Sequence, residues 1–265
     1  MIHHVGSAAD PRIAPYAHVG NHTWLTERGV LVAEGRLVVE RLIDAGTFRL
    51  ESVLVTPAAF DALGSALERL SCDVYVAPQA ILDEVSGFNF HRGCLALARR
   101  PPLPLLERLL DARRLLVLEG IGNPDNVGGL FRVAAALAVG GIALDPRTGD
   151  PWYRKAIRTS MGAALSVPFT RLDAWPGALS QLCGRGLRVI ALTPHPSARP
   201  LAEVAAEQAG ARIALLLGAE GAGLSAEALA AADERVRIPI AAGVDSLNVV
   251  VAAAIALYAF EVRQG

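Results

Sequence analysis

Leu115 to Leu144 reads LLVLEGIGNPDNVGGLFRVAAALAVGGIAL, an apolar run, a glycine and asparagine loop, a helical stretch and a second apolar run in succession. Leu115-Leu116-Val117-Leu118 is a short apolar run of strand type, Gly120 to Pro124 is a glycine and asparagine loop, and Gly141 to Leu144 is a second strand. Between them a helix running to about Val139 is expected, which makes a right-handed βαβ unit with a parallel strand pair. On a wheel of ~3.6 residues per turn, Val127, Leu130, Phe131, Ala134, Leu137 and Ala138 share one face, and Gly128, Gly129, Arg132 and Ala136 fall opposite. An arginine among small residues near a helix start suits a polar or anionic ligand close to the backbone, a reading favoured over a merely solvated arginine because it accounts for the helix-weakening glycines.

The same alternation extends both ways. Towards the C-terminus, strands are expected at Val167 to Thr170, Leu187 to Leu192 and Arg212 to Leu217, with helices at Pro176 to Cys183 and Leu201 to Ala209. The third strand opens into Gly218-Ala219-Glu220-Gly221-Ala222-Gly223-Leu224-Ser225, a glycine cluster that permits close backbone approach and carries one carboxylate. A final strand (Val236, Ile238, Ile240) leads through Asp245-Ser246-Leu247-Asn248 into an apolar helix. Ser246 there reads equally as a helix cap or as part of a ligand site, with Asn248 inside the first turn, where asparagine is a poor helix former. Trp152 to Ala164 holds three cations, Arg154, Lys155 and Arg158, on one helical stretch.

Towards the N-terminus, residues 1–20 read as a polar arm broken by Pro11 and Pro15, an amphipathic helix is expected from Val30 to Ile43, and a small α/β module follows. Its strands are Ser52 to Thr56, Asp73 to Ala77 and Cys94 to Ala98, with helices at Ala58 to Leu70 and Ile81 to Val85. Phe88-Asn89-Phe90-His91-Arg92-Gly93 mixes base-stacking and phosphate-gripping residues, but two phenylalanines tucked into their own core is the reading favoured for that segment alone. His3, His4, His18 and His22 lack a completing Cys or carboxylate spacing and read as surface histidines. The expected division is an arm at 1–20, a first domain at 21–99, a proline-rich linker at 100–106 and a second domain at 107–265.

With 265 residues and 52% hydrophobic content, the chain can bury two modest cores. A net charge of −1 gives no global attraction to nucleic acid, so any grip on phosphate falls to a local arginine patch, Lys155 being the sole lysine. Three scattered cysteines, no secretory pattern and no membrane-length apolar run point to a soluble, cytoplasmic protein without disulfides or a metal. Neither glycine loop matches a dinucleotide or P-loop fingerprint, which excludes a Rossmann-type oxidoreductase.

Taken together, Asn126, Gly128 and Arg132, then Gly218-x-Glu220-Gly221-x-Gly223-Leu224, then Ile238-Pro239 and Ser246-Leu247-Asn248 resemble in order and spacing the three motifs of the SpoU/TrmH family of RNA ribose 2′-O-methyltransferases. Arg158-Thr159-Ser160-Met161-Gly162-Ala163 resembles the family's segment between the first two motifs. The first half resembles the L30e-like RNA-binding domain, through Glu34-Gly35 with Val39 and through His91-Arg92-Gly93. The resemblance implies an α/β fold whose parallel sheet ends in a C-terminal trefoil knot, an obligate homodimer, and S-adenosylmethionine bound by Leu192, Thr193, Pro194, Gly218, Ala219, Glu220, Ile238, Pro239, Ser246 and Leu247. It makes Arg132 the catalytic arginine and Asn126, Glu220, Ser246 and Asn248 its supporting polar residues, with Ala219 and Val250 departing from the commoner Asn and Ser. The implied substrate is RNA, ribosomal RNA before transfer RNA; a non-catalytic RNA-binding or ribosome-assembly factor of the same fold is the alternative.

Overall fold

The computed structural model describes residues 1–87 and 92–261. In chain order its elements are β1 (Ile2–His4), α1 (His22–Glu27), β2 (Val30–Glu34), α2 (Arg36–Ala45), β3 (Leu50–Val55), α3 (Pro57–Leu63), α4 (Ser65–Glu68), β4 (Asp73–Val76), α5 (Gln79–Ser86), β5 (Cys94–Arg99), β6 (Arg114–Glu119), α6 (Pro124–Ala136), β7 (Gly141–Leu144) and α7 (Arg154–Thr159). There follow β8 (Phe169–Arg171), α8 (Leu179–Gly184), β9 (Arg188–Leu192), β10 (Arg199–Pro200), α9 (Leu201–Glu207), β11 (Ile213–Gly218), α10 (Ala226–Ala231), β12 (Glu234–Arg237) and α11 (Val249–Glu261). They form two compact units, one of residues 1–102 with 152–165, the other of 103–151 with 166–265. The stretch 152–165, expected within the second domain, thus packs with the first unit.

The first unit holds a five-stranded sheet in the order β1-β4-β3-β5-β2, parallel from β1 to β3 and antiparallel around β5. Three expectations differ from the structure in this unit. Val30 to Glu34 is a strand, not the start of a helix: all five residues are buried, and Gly35 at φ +92° turns the chain before α2 begins. Residues 1–20 are not a free arm. Ile2–His4 pairs with β4, and Pro11–His18 form a 3-10 helix capped by Asp10. At ~3 residues per turn, Ile13 and Tyr16 share a face; both are fully buried, with the Tyr16 hydroxyl 2.8 Å from Ser52 Oγ. The expected helix from Ala58 to Leu70 is broken by Gly64 at φ +42° into α3 and α4. Phe88 to His91 lie outside the described residues.

In the second unit seven strands run all parallel in the order β10-β12-β9-β11-β6-β7-β8. Strands covered on both faces read as continuous apolar runs, which is why LLVL and IALLL are uninterrupted. The alternation still sorts them: Leu115, Val117, Ala214 and Leu216 join one core with Leu179, Leu182 and Val189. The helix α11 buries Val249, Ala253, Ala256, Leu257 and Phe260 as one stripe. It lies against α6 so closely that a Cβ on Gly129 would come 2.7 Å from Val250 Cγ2. Gly129 therefore serves helix packing rather than ligand approach. The short α10, unread in the sequence, is capped by Ser225 Oγ.

Candidate active site

Strands β9 and β11 are the two innermost neighbours of β12 and β6, and a cavity of about 370 Å³ opens beyond their carboxyl ends. Crevices outside the carboxyl ends of parallel strands are where open α/β sheets bind ligands, because successive loops converge there. Its wall is built from Leu192, Thr193 and Pro194 after β9, the glycine loop after β11, and the segment leading into α11.

The glycine loop folds straight back on its own strand. A Cβ on Gly218 would sit 2.4 Å from the Gly223 carbonyl carbon, and Gly221 and Gly223 take φ of +92° and +68°. A side chain on Gly218 would fill the fold-back, and the left-handed φ of Gly221 and Gly223 disfavours any other residue there, so these glycines are a backbone requirement. The loop's far end is fastened by Glu119, 1% exposed at the end of β6. Its carboxylate accepts from Ser225 N–H at 2.9 Å and Ser225 O–H at 2.7 Å, and from Trp175 Nε1 at 2.7 Å. The next strand end carries Asp145, fully buried and holding Gly120 N–H at 2.9 Å and Thr148 N–H at 2.7 Å. The guanidinium of Arg147 lies within 3.4 Å of both carboxylates.

The loops are stitched together by three polar side chains far apart in sequence. Asn126 Nδ2 donates to Glu220 Oε2 at 2.6 Å, and Asn248 Nδ2 donates to Glu220 Oε1 at 2.8 Å and to Asn126 Oδ1 at 3.1 Å. Asn248 Oδ1 accepts from Val250 N–H at 2.9 Å and Val251 N–H at 3.4 Å. Asn248 is thus the cap of α11 rather than a member of its first turn, and Ser246 leaves that role to it. An asparagine amide has two donor hydrogens, and both of Asn248's are engaged.

The sequence-derived site residues sort accordingly. Leu192, Thr193, Pro194, Gly218, Ala219, Glu220, Ile238, Ser246 and Leu247 line the cavity; Pro239 is exposed and does not. Asn126, Glu220 and Asn248 meet. Arg132 stands apart, exposed on α6 and without a hydrogen bond or ion pair among the described residues. Being six residues beyond Asn126, it lies ~9 Å further along the helix. Asp245, Leu224, Ile240, Val249 and Ala252 also line the cavity; Leu224, Ile240 and Asp245 stand in segments the sequence singles out but were not expected as site residues, and Val249 and Ala252 carry no signal beyond an apolar helix. Glu119 did carry one: a carboxylate closing an otherwise apolar strand.

These features define a class: a parallel α/β protein with a ligand cavity at its strand ends, walled by three loops that a triad of polar side chains holds in register. The profile of the SpoU rRNA methylase family matches residues 113–258. An uncharacterized tRNA/rRNA methyltransferase of Mycobacterium bovis is 43% identical over 234 residues, covering 88% of this chain and 81% of the relative. A 23S rRNA (guanosine-2′-O-)-methyltransferase of a Burkholderia species is 32% identical over 218 residues, 79% of this chain and 87% of that one. The crystal structure of an AdoMet-bound rRNA methyltransferase from Sinorhizobium meliloti superposes with a TM-score of 0.82 at 22% identity, covering 98% and 97% of the two chains, which establishes the common fold. The chain belongs to the SpoU rRNA methylase family. Among the described residues there is no group of side chains that could hold a metal ion and no helix long and apolar enough to cross a membrane.

Proposed function

We propose that the protein transfers a methyl group from S-adenosylmethionine to a ribose 2′-hydroxyl of ribosomal RNA. The observation that carries this reading is the cavity itself. Its volume of about 370 Å³ falls in the range of small-molecule sites, and Leu217, Leu224, Ile238 and Leu247 give it an apolar body. Two carboxylates, Glu220 and Asp245, border it, which suits a ligand bearing a sulfonium and an ammonium. The neighbour from Sinorhizobium meliloti has AdoMet bound, and the Burkholderia relative carries a 23S rRNA 2′-O-methyltransferase name.

Bound there, S-adenosylmethionine supplies a methyl group activated by a neutral thioether leaving group. The chain's own residues do the rest. The backbone of Leu192 to Pro194, Gly218 to Glu220 and Ile238 to Leu247 would hold the cofactor, while Asn126, Glu220 and Asn248 keep the loops in place. Because Glu220 already accepts from two amides, it serves positioning rather than proton abstraction. Arg132 is a group with unused donors among the described residues: its guanidinium fork orients the hydroxyl and stabilises the charge that develops on the 2′-oxygen as the hydroxyl proton passes to solvent water. Ser246, exposed at the cavity edge, is the second group free to meet the ribose.

The same reading includes a second copy of the chain. Val251, Ile255 and Tyr258 are 48%, 40% and 60% exposed at helical spacing on α11, an apolar stripe opposite the buried one that a homodimer would cover. It also includes the trefoil knot in the segment through β12 to α11, an L30e-like first domain, and a cytoplasmic location. In vitro transcribed 23S rRNA incubated with the protein and S-adenosylmethionine, then hydrolysed in alkali, tests the activity: a 2′-O-methyl group blocks cleavage of the adjoining phosphodiester. A gap in the alkaline ladder at one position is expected. An uninterrupted ladder with methyl groups recovered on bases would overturn it.

A further inference from the structure

In the first unit a second concavity, of about 330 Å³, is lined by Glu34, Arg36, Leu37, Arg92 and Met161 among others. At its base lies the Glu34 carboxylate, its side chain 7% exposed, accepting from Arg154 at 2.9 Å. Arg92 and Arg158 approach the same carboxylate only to 3.9 Å, beyond hydrogen-bond reach, with 49% and 38% of their side chains exposed. Arg36 is exposed and makes no hydrogen bond or ion pair among the described residues.

The backbone is shaped to seat these guanidinium groups. Gly35, at φ +92°, lets Arg92 lie against the main chain, where a Cβ would come 3.1 Å from Arg92 Cδ. Across the concavity Met161 and Gly162 both take left-handed φ, +55° and +86°, and Arg41 donates to the Met161 carbonyl. A Cβ on Gly162 would lie 3.2 Å from Arg41 Cδ. Three arginines, Arg92, Arg154 and Arg158, thus converge on one buried carboxylate, and Arg36 lines the same concavity, in a chain whose net charge is −1. Mutual repulsion makes such a cluster unfavourable unless an anion completes it, and the planar forks of Arg36, Arg92 and Arg158 suit phosphate oxygens.

We propose that this concavity docks the phosphodiester backbone of the RNA substrate. Arg36, Arg92 and Arg158 contact phosphates, the Arg154–Glu34 pair holds the cluster together, and Leu37, 42% exposed, offers an apolar surface beside it. The inference rests on RNA being the substrate, as read above. Backbone contacts position a nucleic acid without reading its sequence, so the site supplies grip rather than choice of nucleotide.

Filter binding of in vitro transcribed 23S rRNA across a KCl series tests it, comparing the wild type with the triple variant Arg36→Ala, Arg92→Ala, Arg158→Ala. Each phosphate contact contributes ~0.7 to 0.9 to the slope of log K against log salt. The variant's slope is expected to be smaller by about 2 to 3, with unchanged calorimetric affinity for S-adenosylmethionine, and the corresponding triple lysine variant is expected to recover most of the slope. A triple alanine variant that binds S-adenosylmethionine normally and matches the wild-type slope would overturn the site. If the triple alanine variant loses its cofactor affinity, the triple lysine variant decides: failure to restore a wild-type slope while binding cofactor normally counts against phosphate contact. A wild type that binds the RNA with the expected slope but transfers no methyl group overturns the methylation reading alone, and one that shows no salt-dependent binding overturns both.

Discussion

The side-chain amide of Asn248 bridges to Glu220 at 2.8 Å while its carbonyl caps α11, so one residue fixes both the last helix and the cavity's glycine loop. Asn248→Ala should therefore cost stability as well as activity. Loss of a cap costs ~1 kcal/mol, and Glu220, left with Asn126 alone, adds roughly 1 kcal/mol more. A urea midpoint equal to that of the wild type would show that the bridge is not formed in solution.

Glu119 is a second such fastening, deeper in the fold. In Glu119→Gln an amide N–H₂ would face the donors of Ser225 and Trp175, an opposition of donors that costs ~1–3 kcal/mol when buried. Since Ser225 ends the glycine loop, affinity for S-adenosylmethionine should fall along with stability. Calorimetric titration of the variant checks this; an unaltered dissociation constant in a destabilised protein would separate Glu119 from the cavity.

Both fastenings show what the sequence can and cannot convey. The parallel strands, the glycine loop and nine of the ten residues expected to line the cavity were legible as neighbours of one another, because continuous apolar runs and glycine clusters reflect local requirements of buried strands and tight turns. The pairing of Asn126 with Glu220 spans 94 residues, and no local pattern encodes it. The short strand at Val30–Glu34 was hidden because VLVAEGRLVVE carries apolar residues at both periods until Gly35 divides it. The burial of Ile13 and Tyr16 was hidden for a different reason, since polar residues and two prolines surround them in sequence.

The apolar stripe of α11 gives a test of assembly. Ile255→Glu puts a charge into a surface that a second copy would cover, so sedimentation velocity should show the wild type as a dimer and the variant as a monomer. A wild type that sediments as a monomer at all concentrations contradicts the homodimer.

Burial pushes the Cys94 thiol up to about 12, with the nearby Arg36 charge offsetting this only in part. A thiol in the unfolded chain ionises near ~8.5. Between these values the unfolded state binds fewer protons than the folded one, so this group's contribution to stability is fully present below ~8.5 and falls as the pH rises above it. Cys94→Ala should flatten the alkaline side of a stability profile, and in the native wild type Cys94 should resist thiol reagents at pH 8 until the fold opens. Rapid labelling of Cys94 in the native protein would contradict its burial.

In the proposed reaction Arg132 is the residue on which methyl transfer depends most directly. Single-turnover methyl transfer to 23S rRNA should be measured for the wild type and for Arg132→Ala, with S-adenosylmethionine affinity determined for each. Removing one group that stabilises a developing oxyanion typically costs ~10²–10³ in rate. The expected result is 2′-O-methylnucleoside as the wild-type product, with a loss of that order in the variant at unchanged cofactor affinity. Equal rates for the two proteins, or a product methylated on the base, would contradict it.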